Sequence, residues 1–170
     1  FGFGFFLSGI FWISYSLTFD ESFKYLIPFA VIFIPLFLSI FTGLTILIVG
    51  QYLSYNFSSI LLFSGSLALC DYIRGKILSG FPWNLWGYSW SWFTEILQIL
   101  NQIGLFAFNL LAITFFTLPA IIFFKVTTSK KILATIITLL IIFLLYIYGS
   151  SSINKNKNLI ESIENDNKIY

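Results

Sequence analysis

Two opposite charges, Asp71 and Arg74, lie three residues apart near the end of a long apolar segment. On an α-helix this spacing places both side chains on one face, where they can form an ion pair. A charge at membrane depth costs at least about 2.5 kcal/mol, so a pair that faces the interior of a helix bundle is favoured. Two interpretations stay open: a structural ion pair that holds two helices together, or a polar anchor for a lipid head group or a catalytic loop.

The aromatic residues that follow this pair form the second group able to do chemistry. They are Phe81, Trp83, Trp86, Tyr88, Trp90 and Trp92. Trp and Tyr prefer the headgroup level of a bilayer, so an aromatic belt is the general explanation. Gly80 and Pro82 argue against a continuous helix. Together with Asn84 and Gly87, they favour a shaped interfacial or re-entrant element over a belt.

The remaining reactive groups do not predict catalysis within this chain. Cys70 is the one cysteine, and the chain has no histidine that would act as its base. We therefore interpret Cys70 as a structural, buried residue. A metal centre would have to rely on carboxylates alone, so we expect neither a metal nor a cofactor.

Polar and small residues in the apolar segments predict contacts between helices. Asn101, Gln102 and Asn109 are suited to hydrogen bonds between membrane helices, which contribute about 0.6 kcal/mol each. Gly4 and Ser8 form a pair of small residues four apart, which predicts close helix packing at that point.

The composition defines the elements that must position these groups. The chain has 170 residues, of which 58% are hydrophobic and 9% charged, whereas a soluble domain carries about 25% charged residues. Several apolar runs exceed the roughly 20 residues that cross a bilayer. The sequence therefore predicts an all-α, polytopic transmembrane helix bundle. It has no basic stripe, so we expect no nucleic-acid partner.

The apolar runs predict about five membrane segments. They cover residues 1–17, 25–50, 57–73, 95–124 and 131–148. From Gly149 onwards the sequence becomes polar and rich in Asn, which is typical of a linker. We therefore predict a transmembrane domain over residues 1–149 and an external linker over residues 150–170.

The charges of the loops predict the orientation. Lys125, Lys130 and Lys131 cluster between the last two segments without an acid among them, which places that loop in the cytoplasm. Five crossings then put the loop 74–92 and the C-terminal tail on the external side. Arg74 and Lys76 are exceptions to the positive-inside rule there, which suggests that they have a function.

The stretch "DYIRGKILSGFPWNLWGYSW" (71–90) resembles the membrane-domain motif of the bacterial apolipoprotein N-acyltransferase family. That motif has an acidic residue, then Arg-Gly, then Thr/Ser-Gly-Phe-Pro-Trp and Gly-Tyr. Asp71 stands where many members have Glu. The direct matches are Arg74, Gly75, Gly80, Phe81, Pro82, Trp83, Gly87 and Tyr88. The upstream stretch "FGFGFFLSGIFWISYSL" is also similar to a membrane segment of the family.

This resemblance implies a fold of eight transmembrane helices with a periplasmic nitrilase-like domain between the last two. The chain is then a fragment of the membrane domain in the bacterial cytoplasmic (inner) membrane, and the linker 150–170 leads into the absent periplasmic domain. The family uses a Glu-Lys-Cys triad in that domain. We therefore expect no catalytic residue in this chain.

The resemblance also implies a reaction and two lipid partners. A phospholipid donates an acyl chain, through a thioester on the catalytic cysteine, to the α-amino group of a diacylglyceryl lipoprotein acceptor. We expect the lipid-binding residues to be Arg74, Lys76, Phe81, Pro82, Trp83, Trp86 and Tyr88. In this interpretation the aromatic residues line the entry, and Arg74 or Lys76 attracts a lipid phosphate.

Two other functional classes stay open on the residues alone. A transporter or lipid flippase would use Asp71 and Arg74 as an intramembrane polar site. A membrane scaffold without catalysis would use neither residue for chemistry.

Overall fold

The computed structural model describes residues 1–77, 82 and 84–167, with side chains up to residue 163. Within these residues the chain contains helices and irregular segments but no strand, so the predicted all-α class is confirmed. The α-helices are α1 (Gly2–Ile10), α2 (Ile27–Val49), α3 (Phe57–Ile77), α4 (Thr94–Leu97), α5 (Leu100–Thr117) and α6 (Thr128–Asn167). Short 3₁₀ helices cover Phe11–Thr18, Glu21–Leu26, Gly50–Tyr52, Trp86–Trp90 and Leu118–Phe123.

Three helical stretches in the described part of the chain are long and apolar enough to cross a membrane: Glu21–Tyr52, Leu100–Phe123 and Thr128–Ile163. The stretch Gly2–Thr18 is apolar but shorter. Helix α3 is less hydrophobic, because it carries several serines and ends with charged residues. Length and composition thus support three of the five predicted membrane segments.

The chain divides into two compact units, and the first comprises Phe1–Leu85. In this unit α1 packs against α2, and α2 packs against α3. The hydrophobic core consists of Phe6, Ile10 and Leu38, with Phe5, Ile13 and Ile34 packed around it. The core therefore lies between α1 and α2, where the apolar faces of both helices are removed from solvent or lipid.

Small residues allow α1 and α2 to approach closely, but not at the predicted position. A Cβ at Gly2 would lie 3.2 Å from Cβ of Ser39, so this glycine is in tight contact with α2. Apart from the adjacent residues and the backbone of α1 itself, no described atom lies within 4 Å of the Cβ position of Gly4. The predicted close packing at Gly4 and Ser8 is therefore wrong for the described residues, because Gly4 lies on a different face of α1 from the contact.

The second unit comprises Trp86–Tyr170. The segment predicted over residues 95–124 is broken into α4, α5 and the 3₁₀ helix Leu118–Phe123. Gly104 interrupts α5 with φ 76° and ψ 168°, a conformation that residues with a side chain rarely adopt. Pro119 follows the last α-helical residues, since proline supplies no N–H for a further helical bond. The buried residues of this unit include Ile96, Phe108, Asn109, Ala112, Ile113 and Ile121.

Helix α6 continues past the point where the composition changes. The predicted segment ends at about Tyr148, but the helix runs to Asn167. Polar residues do not end a helix by themselves, and residues 150–167 contain neither Pro nor Gly. Gly149 allows α6 to contact the backbone of α4, because a Cβ there would overlap the carbonyl group of Glu95.

Candidate functional site

The predicted ion pair between Asp71 and Arg74 forms in the last two turns of α3. Nη2 of Arg74 lies 2.9 Å from Oδ1 of Asp71. Arg74 is 1% exposed and Asp71 is 5% exposed, so both charges are removed from the surroundings. Both residues belong to one helix, and the pair itself therefore does not join two helices.

Arg74 joins α3 to α1 through an aromatic ring. The guanidinium carbon of Arg74 lies 5.0 Å from the centroid of the Phe6 ring, which is 1% exposed. This distance is within the range of a cation–π interaction, which is stronger when both groups are desolvated. Nη1 of Arg74 has no hydrogen-bond partner among the described residues. The guanidinium therefore keeps donors available for a further acceptor.

Lys76 differs from Arg74 in its exposure. It lies in the last turn of α3, is exposed, and its Nζ is 5.7 Å from the centroid of the Tyr72 ring. A cation at the C-terminal end of a helix is stabilised by the helix dipole. Of the two predicted phosphate-binding residues, Lys76 is thus the one whose charge a ligand can reach directly.

Cys70 lies in α3 and contacts α2. Its thiol is half-buried and donates a hydrogen bond to the carbonyl oxygen of Phe41, at 3.3 Å. This contact between two helices agrees with a structural role for Cys70, but the side chain is half-buried and not fully buried as predicted.

The aromatic stretch begins beyond α3, and two of its predicted site residues, Phe81 and Trp83, lie outside the described residues. Helix α3 is described as far as Ile77, and Pro82 is non-helical and partly buried. This agrees with the break in the helix that Pro82 predicts. Trp86 and Tyr88, the other predicted aromatic site residues, belong to the 3₁₀ helix Trp86–Trp90 of the second unit.

Asn84, in the aromatic stretch, has an unusual backbone conformation. Its φ is 45°, in the left-handed region that Asn tolerates better than most residues with a side chain. Nδ2 of Asn84 donates a hydrogen bond to the carbonyl oxygen of Phe5 on α1, at 3.1 Å. The amide lies against Gly9, where a Cβ would overlap it. The sequence pattern placed Asn84 among the aromatic residues but did not indicate Gly9 as its partner.

In the second unit, a buried asparagine holds the 3₁₀ helix Trp86–Trp90. The backbone N–H of Gly87 donates to Oδ1 of Asn109 on α5, at 3.0 Å, and Asn109 is fully buried. Gly87 is also buried, and a Cβ there would lie 3.1 Å from the Phe108 ring. The sequence predicted a hydrogen bond between membrane helices for Asn109, and one of its observed partners is a backbone group of the aromatic stretch.

Trp86 and Trp90 form an aromatic cluster with side chains of the same unit. Trp86 lies 5.9 Å from Phe116, and Trp90 lies 6.1 Å from both Phe115 and Phe116, measured between ring centroids. These separations are typical of interacting aromatic pairs. Tyr88, in the same 3₁₀ helix, is 42% exposed. The cluster thus anchors the 3₁₀ helix and leaves Tyr88 accessible.

Comparison with known proteins places these features in a family. The family described as "Apolipoprotein N-acyltransferase N-terminal domain" matches residues 1–118, which include α1 to α5 and the whole stretch 71–90. No solved structure matches the chain.

Relatives named apolipoprotein N-acyltransferase are similar over most of the chain. The protein of Rhodopseudomonas palustris is 32% identical over 132 residues, 77% of this chain and 25% of the relative. That of Brucella melitensis biotype 1 is 37% identical over 123 residues, 72% of this chain and 23% of the relative. That of Rickettsia prowazekii is 33% identical over 157 residues, 92% of this chain and 31% of the relative.

The chain thus spans about a quarter to a third of the length of these relatives. The match covers the Asp71–Arg74 pair, the aromatic stretch and the residues on α1 and α5 that hold it. This chain belongs to the apolipoprotein N-acyltransferase N-terminal domain family.

Proposed function

We propose that this chain is the membrane part of a phospholipid-dependent acyltransferase that N-acylates the N-terminal diacylglyceryl-cysteine of lipoproteins. The observation that carries this proposal is the family match over residues 1–118, which contains the complete motif 71–90. A transporter or lipid flippase is not favoured, because the family that matches residues 1–118 is described as an apolipoprotein N-acyltransferase domain.

The proposed reaction has two steps and conserves the acyl group. A cysteine thiolate attacks the ester carbonyl of a phospholipid, the lysophospholipid leaves, and a thioester forms. The free α-amino group of the diacylglyceryl-cysteine then attacks the thioester, an amide forms, and the thiolate is released. By resemblance, the triad for these steps belongs to a nitrilase-like domain outside this chain, and the greater length of the relatives leaves room for it.

We propose that five segments of the chain cross the bacterial inner membrane. They are the three long apolar stretches, the stretch Gly2–Thr18 and helix α3. The 21 residues of α3 span about 32 Å at about 1.5 Å per residue. That length matches the roughly 30 Å of the hydrocarbon core. With the Lys125–Lys131 loop in the cytoplasm, the aromatic stretch and the end of α6 lie on the periplasmic side.

Helix α6 is proposed to connect the membrane domain to the periplasmic domain. Its 40 residues extend over about 60 Å, about twice the thickness of the hydrocarbon core. The polar half, residues 150–167, therefore extends beyond the membrane. We propose that the linker predicted over residues 150–170 is helical for most of its length, which gives the following domain a more defined position than a flexible linker would.

The lipid-binding role is proposed for the aromatic stretch and for the basic residues before it. Lys76 is exposed at the end of α3, where it is suited to attract a lipid phosphate. Arg74 is buried, but its Nη1 lacks a partner among the described residues and is available to an acceptor that enters the site. Phe81, Pro82, Trp83, Trp86 and Tyr88 are proposed as apolar contacts for lipid.

The test is a Trp83→Ala substitution in the full-length protein. We expect lipoprotein N-acylation to slow by about tenfold, which corresponds to the loss of one aromatic anchor of about 1.4 kcal/mol. Membrane insertion and the amount of protein should not change. The measurement is N-acylation of a purified diacylglyceryl lipopeptide in phospholipid vesicles.

The matched control is Trp92→Ala, because Trp92 is 90% exposed and is not among the proposed site residues. We expect the control to retain its acylation rate. Equal rates for the Trp83→Ala protein and the unsubstituted protein would contradict the lipid-binding role of the stretch.

A further inference from the structure

Helix α1 contacts the chain on both sides of the segment 78–83. Before the segment, Arg74 places its guanidinium on the ring of Phe6 at 5.0 Å. After the segment, Asn84 donates its amide to the carbonyl oxygen of Phe5 at 3.1 Å. The two receiving residues are neighbours in one turn of α1. All of these contacts lie within the first unit.

The contact of Asn84 depends on Gly9. A Cβ at Gly9 would overlap the amide atoms of Asn84, so the surface of α1 has a notch that only glycine leaves open. The left-handed φ of 45° at Asn84 turns the chain so that the side chain enters this notch. Asn suits this position because it tolerates the conformation and carries a short amide that can donate.

The position of the Arg74 guanidinium is fixed by Asp71 on α3 and by Phe6 on α1. The ion pair with Asp71 holds the guanidinium at 2.9 Å, and the buried ring of Phe6 lies against its face. The guanidinium is 1% exposed, so it cannot exchange freely between alternative positions at the surface. The end of α3 is therefore attached to α1 immediately before the segment 78–83.

We propose that the turn Phe5–Gly9 of α1 is a positioning platform, which holds Arg74 at the end of α3 and Asn84 after the segment 78–83. Asn84 and Gly9 are positioning residues in this proposal, since they act through the segment and not on the substrate. The inference rests on the proposed function only in its consequence for lipid binding, because the platform itself stands on contacts within the first unit.

The first test measures the platform without any reference to activity. Gly9→Ala is introduced into the full-length protein, and amide hydrogen exchange of the peptides that cover residues 75–85 is followed in detergent micelles. We expect exchange in these peptides to rise by about tenfold, because the added methyl displaces Asn84 from the notch. Unchanged exchange in a folded Gly9→Ala protein overturns the inference.

Gly4→Ala is the matched control on the same helix, because no described atom beyond the adjacent residues and the backbone of α1 lies within 4 Å of its Cβ position. It makes the same chemical change in α1 and should leave exchange over residues 75–85 unaltered. An equal rise in both variants would show a general loss of α1 stability and would also overturn the inference.

A double substitution tests the direct coupling between Gly9 and Asn84. Asn84→Gly keeps the left-handed backbone accessible and empties the notch. Gly9→Ala should then have no additional effect on exchange when it is combined with Asn84→Gly. Additive effects of the two substitutions would show that the residues act independently and would overturn the proposal.

Asn84→Asp provides a variant that does not crowd the notch. It keeps the size of the side chain but replaces the donating amide with an oxygen that cannot donate in its ionised form. We expect raised exchange over residues 75–85 here too, so the proposal remains testable if Gly9→Ala does not fold. Unchanged exchange in Asn84→Asp would show that the hydrogen bond does not hold the segment.

The acylation kinetics separate the inference from the proposed function. If the segment binds lipid, Gly9→Ala should raise the KM for phospholipid by about five- to tenfold and change kcat by less than about twofold. Raised exchange with an unchanged KM would keep the platform and remove the segment from the lipid site. A lower kcat with an unchanged KM would contradict a role in positioning the segment for binding.

Discussion

In each of the two units, one asparagine and one glycine attach the aromatic stretch to a helix. The asparagine belongs to the stretch in the first unit and to the helix in the second. In the first unit, Asn84 of the stretch donates to a carbonyl of helix α1, and the helix supplies Gly9. In the second unit, helix α5 supplies Asn109, which accepts from the backbone of the stretch, and the stretch supplies Gly87. An amide and a glycine therefore make each attachment.

The two attachments differ in how much they contribute to stability. The carbonyl oxygen of Phe5 also accepts from the hydroxyl of Ser8, so it keeps a partner if Asn84 is lost. The N–H of Gly87 is buried and donates to Asn109. A buried donor that loses its acceptor destabilises a protein by about 1–3 kcal/mol, more than an ordinary hydrogen bond contributes. The second unit therefore depends more on its asparagine, whereas the first adds the charged pair Asp71–Arg74.

The largest effect is expected from Asp71→Ala in the first unit. It leaves the charge of Arg74 buried without its carboxylate, so the free energy of unfolding should fall by about 3–5 kcal/mol. The measurement is thermal or denaturant unfolding of the full-length protein in detergent. Replacing both residues, with Asp71→Leu and Arg74→Met, should restore most of the loss because no buried charge remains.

The exposed pair Glu21–Lys24 offers the control for Asp71→Ala. Glu21→Gln removes that pair and should lower the free energy of unfolding by less than about 1 kcal/mol. If Asp71→Ala were as mild as Glu21→Gln, the buried ion pair would not distinguish the first unit from the second.

An intermediate effect is expected from Asn109→Leu in the second unit. The substitution keeps a similar volume but removes the acceptor of the buried Gly87 N–H. The free energy of unfolding should fall by about 1–3 kcal/mol, again measured by unfolding in detergent. Asn101→Leu, at an exposed position of the same helix, should have little effect. Equal losses for both variants would mean that the contact with Gly87 contributes nothing specific.

The smallest effect on stability is expected from Gly87→Ala. Its methyl group would lie 3.1 Å from Cδ1 of Phe108, so the ring must move by a few tenths of an ångström. Overpacking of this kind destabilises by about 1 kcal/mol when the neighbour can adjust. Gly43→Ala is the control in α2, because its added methyl meets no described atom within 4 Å beyond the adjacent residues and the backbone of its own helix. A loss of more than about 3 kcal/mol would show that the second unit cannot adjust around Phe108.

Much of the secondary structure could be predicted from local sequence. The apolar run that starts at Phe57 becomes α3, which extends four residues beyond the predicted Ile73. The spacing of Asp71 and Arg74 predicted their ion pair, because residues three apart share a helix face. Helix α6 was predicted too short, since a change to polar composition indicates exposure to water and does not by itself end a helix.

The candidate site could be predicted only in part. The motif identified Arg74, Pro82 and Tyr88 as members of one stretch, but it did not show that Arg74 is buried and Lys76 exposed. Burial depends on whether another element covers the side chain, and Phe6 lies 68 positions before Arg74 in the sequence. The packing of Gly2, and not Gly4, against α2 was missed for the same reason.

The sequence by itself determined that this chain is helical, apolar enough for a membrane, and a member of its family through the motif 71–90. These properties depend on composition, on residue spacing within one helix and on a contiguous pattern, all of which are local. Only the tertiary structure decided that the side chain of Asn84 packs against Gly9 and that Oδ1 of Asn109 accepts a hydrogen bond from the N–H of Gly87. Each attachment joins residues from separate elements, and a hydrogen bond forms only when folding brings donor and acceptor within about 3 Å of each other.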